Sequence, residues 1–179
     1  MTYMSLETEI DALLVSGRVF QLATEYPGLP QRRTIYVSHA VNNLLLGPWT
    51  NTDEEYRIGQ LRYWLDRFIS GGRVYVREQP RAKKSTADMA QLEPWIDEIW
   101  EIRSIDPKPS LRVFGSFAQR DVFLALTWAA RKSLDYFGGP KWQAAIAHYK
   151  AEWQSHFNSQ PLTGVLYPSA YLSNAVTLD

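Results

Sequence analysis

The chain has no cysteine. That excludes disulfides, thiolate nucleophiles and cysteine-based zinc sites, and it fits a reducing compartment such as the cytoplasm. It also carries no net charge, 19 basic residues balancing 19 acidic ones, which argues against a protein that grips nucleic acid through bulk positive charge. No apolar run approaches the ~20 residues needed to span a bilayer. Glu7, Glu9 and Asp11 interrupt any run near the N-terminus that could serve as a leader. Internal repeats and low-complexity tracts are missing as well. The expectation is a soluble, non-exported, cytoplasmic protein with no membrane contact.

What is present is enough for a core. The 179 residues, 45% of them hydrophobic, can bury one without disulfides or metals. We expect one α+β domain over 1–179: an N-terminal helix and strands (1–50), a central core (51–157) and a packed tail (158–179). The seven tryptophans read as core or interface anchors. Charge is unevenly spread. From Leu61 to Lys84 seven bases stand against two acids, from Ser85 to Asp106 one base against six acids, and from Pro107 to Lys150 seven bases against two acids. Either these blocks neutralise one another on the surface, or two basic walls flank an anionic ligand.

Periodicity supplies the elements. Leu6, Ile10, Leu13 and Leu14 recur at helical spacing after Ser5, a candidate N-cap, and stop at Gly17. Arg18–Thr24 alternates like a strand. Thr34–His39 and Val41–Leu46 read as strands, with Asn42-Asn43 near a hairpin turn. Thr52-Asp53-Glu54-Glu55 has the capping-box pattern with Thr52 as the cap. Ile58, Leu61, Leu65 and Phe68, with Trp64 beside them, then form an apolar stripe that Gly71-Gly72 ends. Arg73–Glu78 is a strand, and Gln79–Glu93 a polar connection with a helical turn around Ala87–Leu92. Three strands follow, Ile96–Arg103, Leu111–Phe117 and Asp121–Thr127. A last helix runs from Pro140 to Phe157 on the stripe Trp142, Ile146, Tyr149, Trp153, Phe157. Asn158–Asp179 is expected to be irregular but packed. The pattern is α+β, with helices packed on a mostly antiparallel sheet.

The stretch from Trp100 to Phe137 holds most of the functional content. Arg103 closes the first strand of the meander, Arg112 opens the second, and Arg131-Lys132 follow the third. On an antiparallel meander these ends can converge. Arginine is always charged near neutral pH and its planar fork matches phosphate. Tyr136 and Phe137 follow directly, and the Tyr136 hydroxyl is a candidate to orient or deprotonate a ribose hydroxyl. The competing reading pairs the arginines with Asp97, Glu98, Glu101 or Asp121.

The run IWEIR … SLRVFGSF … DVFLALTWAARKSLDYF resembles the C-terminal core of the RelE/HigB-type toxin superfamily, ribosome-dependent mRNA endoribonucleases. The resemblance implies a RelE-like core at 51–157 with N-terminal and C-terminal additions. It matches Arg103 to the family's first-strand arginine and Arg112 to the second. Arg131 and Lys132 match the basic run, and Tyr136 the tyrosine after it. In the family such residues bind the scissile phosphate and assist attack by the 2′-hydroxyl, leaving a 2′,3′-cyclic phosphate. No metal or cofactor is implied. The chain departs from the pattern in the prolines Pro107 and Pro109 between the first two strands, in Leu111 where an aromatic is expected, in its length and in its zero net charge.

Lys132 and Arg120 on the meander, and Arg81, Lys83 and Lys84 in the first basic block, complete the expected RNA-binding set. That block (Arg62, Arg67, Arg73, Arg77, Arg81, Lys83, Lys84) interleaves with Tyr63, Trp64 and Tyr75, an arrangement open either to base stacking or to a core Trp64 with solvated cations. His148, Glu152 and His156 share one helix face, but the outer two lie about 12 Å apart along the axis, so a solvated polar row is expected there. The implied partners are mRNA in the ribosome and a cognate antitoxin. The alternative is a non-enzymatic inhibitor of phage or mobile-element origin that acts on a host protein complex, which zero net charge and plentiful tryptophan would suit. A homodimer is compatible with either.

Overall fold

The computed structural model describes residues 5–77, 86–104, 106–165 and 167–178. Helix α1 (Leu6–Val15) begins where the Ser5 side chain accepts the Thr8 amide, and it buries Ile10 and Leu13. Strands β1 (Val19–Gln21) and β2 (Thr34–Ser38) pair antiparallel. The next segment corrects the sequence reading. Val41–Leu46 is not a hairpin strand but most of a helix, α2 (His39–Leu46). Ser38 accepts the Val41 amide as its N-cap, and Val41, Leu44 and Leu45 bury one helical face.

Helix α3 (Thr52–Ile69) carries the expected stripe, with Ile58, Leu61, Trp64, Leu65 and Phe68 buried. Its cap sits one residue earlier than the motif implied. Asn51 accepts the Glu54 amide at 2.9 Å, and the Glu54 carboxylate takes the Thr50 amide at 2.8 Å and its hydroxyl at 2.6 Å. The chain leaves α3 through Gly71, whose φ of +86° is a left-handed conformation suited to glycine.

Strand β3 (Val74–Arg77) follows. The helical turn expected around Ala87–Leu92 is instead β4 (Met89–Gln91), which runs parallel to β3. A 3-10 turn (Trp95–Asp97) precedes the meander of β5 (Trp100–Ser104), β6 (Leu111–Gln119) and β7 (Val122–Ala130). The meander is antiparallel, as expected, but its first strand starts at Trp100 rather than Ile96. A second 3-10 turn (Arg131–Ser133) leads to α4 (Pro140–His156). The tail is more regular than expected: α5 (Pro168–Tyr171) leads to β8 (Ala175–Leu178), which pairs parallel with β3.

These strands form one mixed sheet in the order β1-β2-β7-β6-β5-β4-β3-β8, and helices cover both faces. On one face α2 and α3 bury Ile35, Val37, Val76, Met89, Ile102, Val113 and Phe123. On the other, Phe114, Leu124 and Leu126 lie under Trp142, Tyr149 and Trp153 of α4, with Ile10 and Leu13 of α1 in the same cluster. At the β6/β7 irregularity after Phe114, a Cβ on Gly115 would run into the Leu124 carbonyl oxygen and the Phe123 ring. Among the described residues, no helix is long and apolar enough to cross a membrane.

One buried cation joins distant segments. The Arg33 side chain is fully buried and forms an ion pair with Asp121 at 3.3 Å. Its Nη1 donates to the carbonyls of Phe68 and Gly72, both at 3.0 Å, and its Nη2 donates to the Ser173 carbonyl. Burial pushes its pKa down, and Asp121 opposes that shift. Replacing Arg33 leaves these acceptors unmet, so Arg33→Met should lower unfolding free energy by about 3 kcal/mol or more. Urea denaturation measures this, and a loss under about 1 kcal/mol would contradict the tie.

Candidate functional site

Strand alternation decides which side chains share a face. Val74 and Val76 belong to the core beneath α2 and α3, so Arg77 projects from the opposite face. The registers Arg77↔Ala90, Ala90↔Glu101 and Glu101↔Phe114 then run as one row across four strands. The adjacent row, about 7 Å along the strands, is Arg103↔Arg112 and Arg112↔Ala129. Arg131 follows β7 and its amide donates to the Ser110 carbonyl at 2.7 Å, which places it beside the start of β6. Arg103, Arg112 and Arg131 therefore come to one end of the meander, as an antiparallel meander allows.

Glu101 is the hub. Its carboxylate lies 3.0 Å from Arg112 Nε and 3.5 Å from Arg103 Nε. These side chains are largely buried, at 8% exposure for Glu101, 9% for Arg112 and 15% for Arg103. Burial pushes the Glu101 pKa up, against the pull of Arg112, Arg103, Arg131 and Arg77. Burial pushes Arg112 down; Glu101 opposes that shift, while Arg103 and Arg131 add to it by repulsion. Arg77 is also pushed down, by burial and then by Arg103. The cluster is thus four guanidiniums in the field of one buried carboxylate.

Arg112 and Arg131 have distinct anchors. Arg112 Nη1 donates to the Leu111 carbonyl at 2.9 Å and the Ser110 hydroxyl at 3.4 Å. Arg131 Nη1 donates to the carbonyls of Leu134 at 2.9 Å and Asp135 at 2.8 Å, and its guanidinium lies 5.8 Å from the centre of the Trp142 ring. The Nη2 groups of Arg112 and Arg131 make no hydrogen bond among the described residues. An anion with oxygens spaced for a guanidinium fork is their chemical complement. The start of α4 is not a further anion site, because the Asp135 carboxylate already accepts the Lys141 and Trp142 amides. Those bonds hold its pKa down against a burial effect of opposite sign.

The other expected site residues are spread out. Lys132 is exposed in the 3-10 turn after β7. Tyr136 is 72% exposed in the turn before α4. Arg120 lies in the β6/β7 turn, at the far end of β6, about 25 Å from Arg112 along the strand, so it is not part of the cluster. Arg81, Lys83 and Lys84 lie outside the described residues. The first basic block does not act as one wall: Arg62 pairs with Glu25 and Asp66, Arg67 pairs with Asp88, and Trp64 is buried. Of the acids considered as arginine partners, Glu101 takes that role, whereas Asp97 pairs with Lys150 and Asp121 with Arg33. On α4, His156 lies 3.9 Å from Glu152 while His148 is exposed.

Two members of the cluster were not foreseen as site residues, Glu101 and Arg77. The signal for Glu101 was available: it alternates with Arg103 on a strand that faces Arg112. Arg77 needed the parallel β3/β4 pairing, which nothing local in the sequence announces.

Because the folded-state pKa of Glu101 is raised, its contribution to stability is present at low pH and lost as pH rises through that value. The stability of the native protein relative to Glu101→Gln should therefore fall as pH rises from the acid range. Paired urea titrations across pH measure the difference. A native protein that gains on the variant with rising pH would mean that the arginines outweigh burial. No protein-family model, no curated protein and no solved structure matches this chain, so the chemistry of the cluster is argued from its geometry.

Proposed function

We propose that the protein is a RelE-like endoribonuclease that binds mRNA, in the ribosome, through a phosphate held at Arg103, Arg112 and Arg131. The observation that carries this reading is the convergence of those three arginines from three chain segments onto one end of the meander. In-line attack by a 2′-hydroxyl spreads negative charge over the phosphoryl oxygens, and preplaced cations stabilise that charge more in the transition state than in the ground state. Arg112 and Arg103 would clamp the phosphate from adjacent strands. Arg131 is fixed by two backbone carbonyls and would approach from the turn. Lys132, exposed beside it, would hold a flanking phosphate. Tyr136 would meet the ribose from the turn before α4.

This chemistry needs no metal, since the guanidiniums supply the charge and the nucleophile belongs to the RNA. The product would be a 2′,3′-cyclic phosphate and a free 5′-hydroxyl. The resemblance of IWEIR, SLRVFGSF and the basic run to the RelE/HigB superfamily supports the same assignment, including an antitoxin that covers the arginines.

Purified protein in a cell-free translation reaction, with the message mapped by primer extension, tests the reading. Discrete ribosome-dependent cuts are expected. They should weaken by about a hundredfold or more in Arg103→Ala/Arg131→Ala, with the circular dichroism spectrum unchanged. Intact message and normal translation would remove the nuclease reading. They would leave the host-protein inhibitor, which the exposed side chains of Trp95, Ile96, Tyr136 and Phe137 favour.

A further inference from the structure

A cleft of about 750 Å³ opens between the loop after β4 and the C-terminal segment. Its walls combine three features. Trp95 and Tyr167 line it yet are 52% and 66% exposed, so much of each ring is accessible to a ligand. Trp100 lines it too, and its buried indole N–H has no acceptor among the described residues. Glu98 is a buried side chain on a left-handed residue, φ 53°, a conformation uncommon for glutamate. Its Oε2 accepts the Tyr171 hydroxyl at 2.6 Å and the Gln91 amide at 2.9 Å. Burial pushes the Glu98 pKa up and that of Tyr171 up as well, which keeps the tyrosine protonated as donor.

Arg77 lies where the cleft, whose Gln91 and Trp100 belong to the α2/α3 face, meets the face that carries the arginine cluster. It lines the cleft, and it stands in the same cross-strand row as Glu101. We infer that the cleft is a purine-base subsite, which receives a base of the RNA whose phosphate the arginines hold; the inference rests on that reading of the cluster. A purine is planar and wide enough to stack on indole and phenol rings. Its edge offers an acceptor to the Trp100 N–H and donors to the oxygens of Gln91 and Glu98, the Gln91 amide nitrogen already donating to Glu98 and to the Trp95 carbonyl.

Calorimetric titration of the full chain with guanosine, adenosine and ribose tests the subsite without phosphate or ribosomes. At least one purine nucleoside should bind saturably and ribose should not. The affinity should fall about tenfold or more in Trp95→Ala/Tyr167→Ala, whose two exposed positions leave the core intact. No purine binding beyond that of ribose, or a smaller loss in the double variant, would overturn the subsite. The two readings fail separately. Message cut at the arginines without nucleoside binding removes the subsite alone, and nucleoside binding without cuts removes the nuclease alone.

Discussion

The Arg33 guanidinium is the tie on which the architecture depends. It stands just before β2, and its donors reach the end of α3, the turn between β6 and β7, and the segment before β8. A charge this deeply buried is tolerated only where oxygen atoms surround it. Three carbonyls and a carboxylate do so here. Asp121 is fixed in turn, since its Oδ1 accepts the Ser173 amide at 2.7 Å and the Ser173 hydroxyl at 3.0 Å. The tie therefore sets the end of α3 against the tail. That placement lets β8 run alongside β3, and β3 alongside β4.

The arginine cluster obeys the opposite logic. Arg33 meets its acceptors from the protein's own backbone, whereas Arg112 and Arg131 use one Nη group each on the backbone and face other cations. Like charges gathered on a partly buried sheet face destabilise the fold unless something offsets them. Glu101 does so in part, at the expense of its own hydration. A site that works against stability in this way is where ligand binding has the most to contribute.

The sequence was legible where one period ran long enough to exclude others. The stripes of α3 and α4 extend over 18 and 17 residues, and no strand pattern fits them. Val41–Leu46 was too short for that. Its apolar residues satisfy both periods, and the deciding feature is the Ser38 cap, which in a strand reading looks like any other polar residue. The capping box at Thr52 was correct in kind and wrong by one residue, because Asn51 and Thr52 are both competent caps and Glu54 reaches Thr50. The convergence of Arg103, Arg112 and Arg131 could be anticipated because a meander brings its ends together by local connections. Arg77 and the cleft could not, since the first depends on the parallel β3/β4 pairing and the second on chain segments far apart in sequence.

Holding the cluster on strands has a consequence for chemistry. Arg103 and Arg112 are direct register partners on adjacent strands, so their backbones cannot drift apart without breaking the sheet. Arg131 is fixed differently, by the carbonyls of the turn it begins and by the Trp142 ring. Three cations held this way repel one another, and Arg112 registers that repulsion from both Arg103 and Arg131. On the reading proposed above, a phosphate gains twice on entering, from its own attraction to the forks and from relief of that repulsion. A transition state with more charge on its equatorial oxygens gains further, with no reorganisation of the donors. On the same reading, Glu101 would limit how tightly the ground state is held. A cluster without it would bind any polyanion strongly, and uniform binding does not accelerate a reaction.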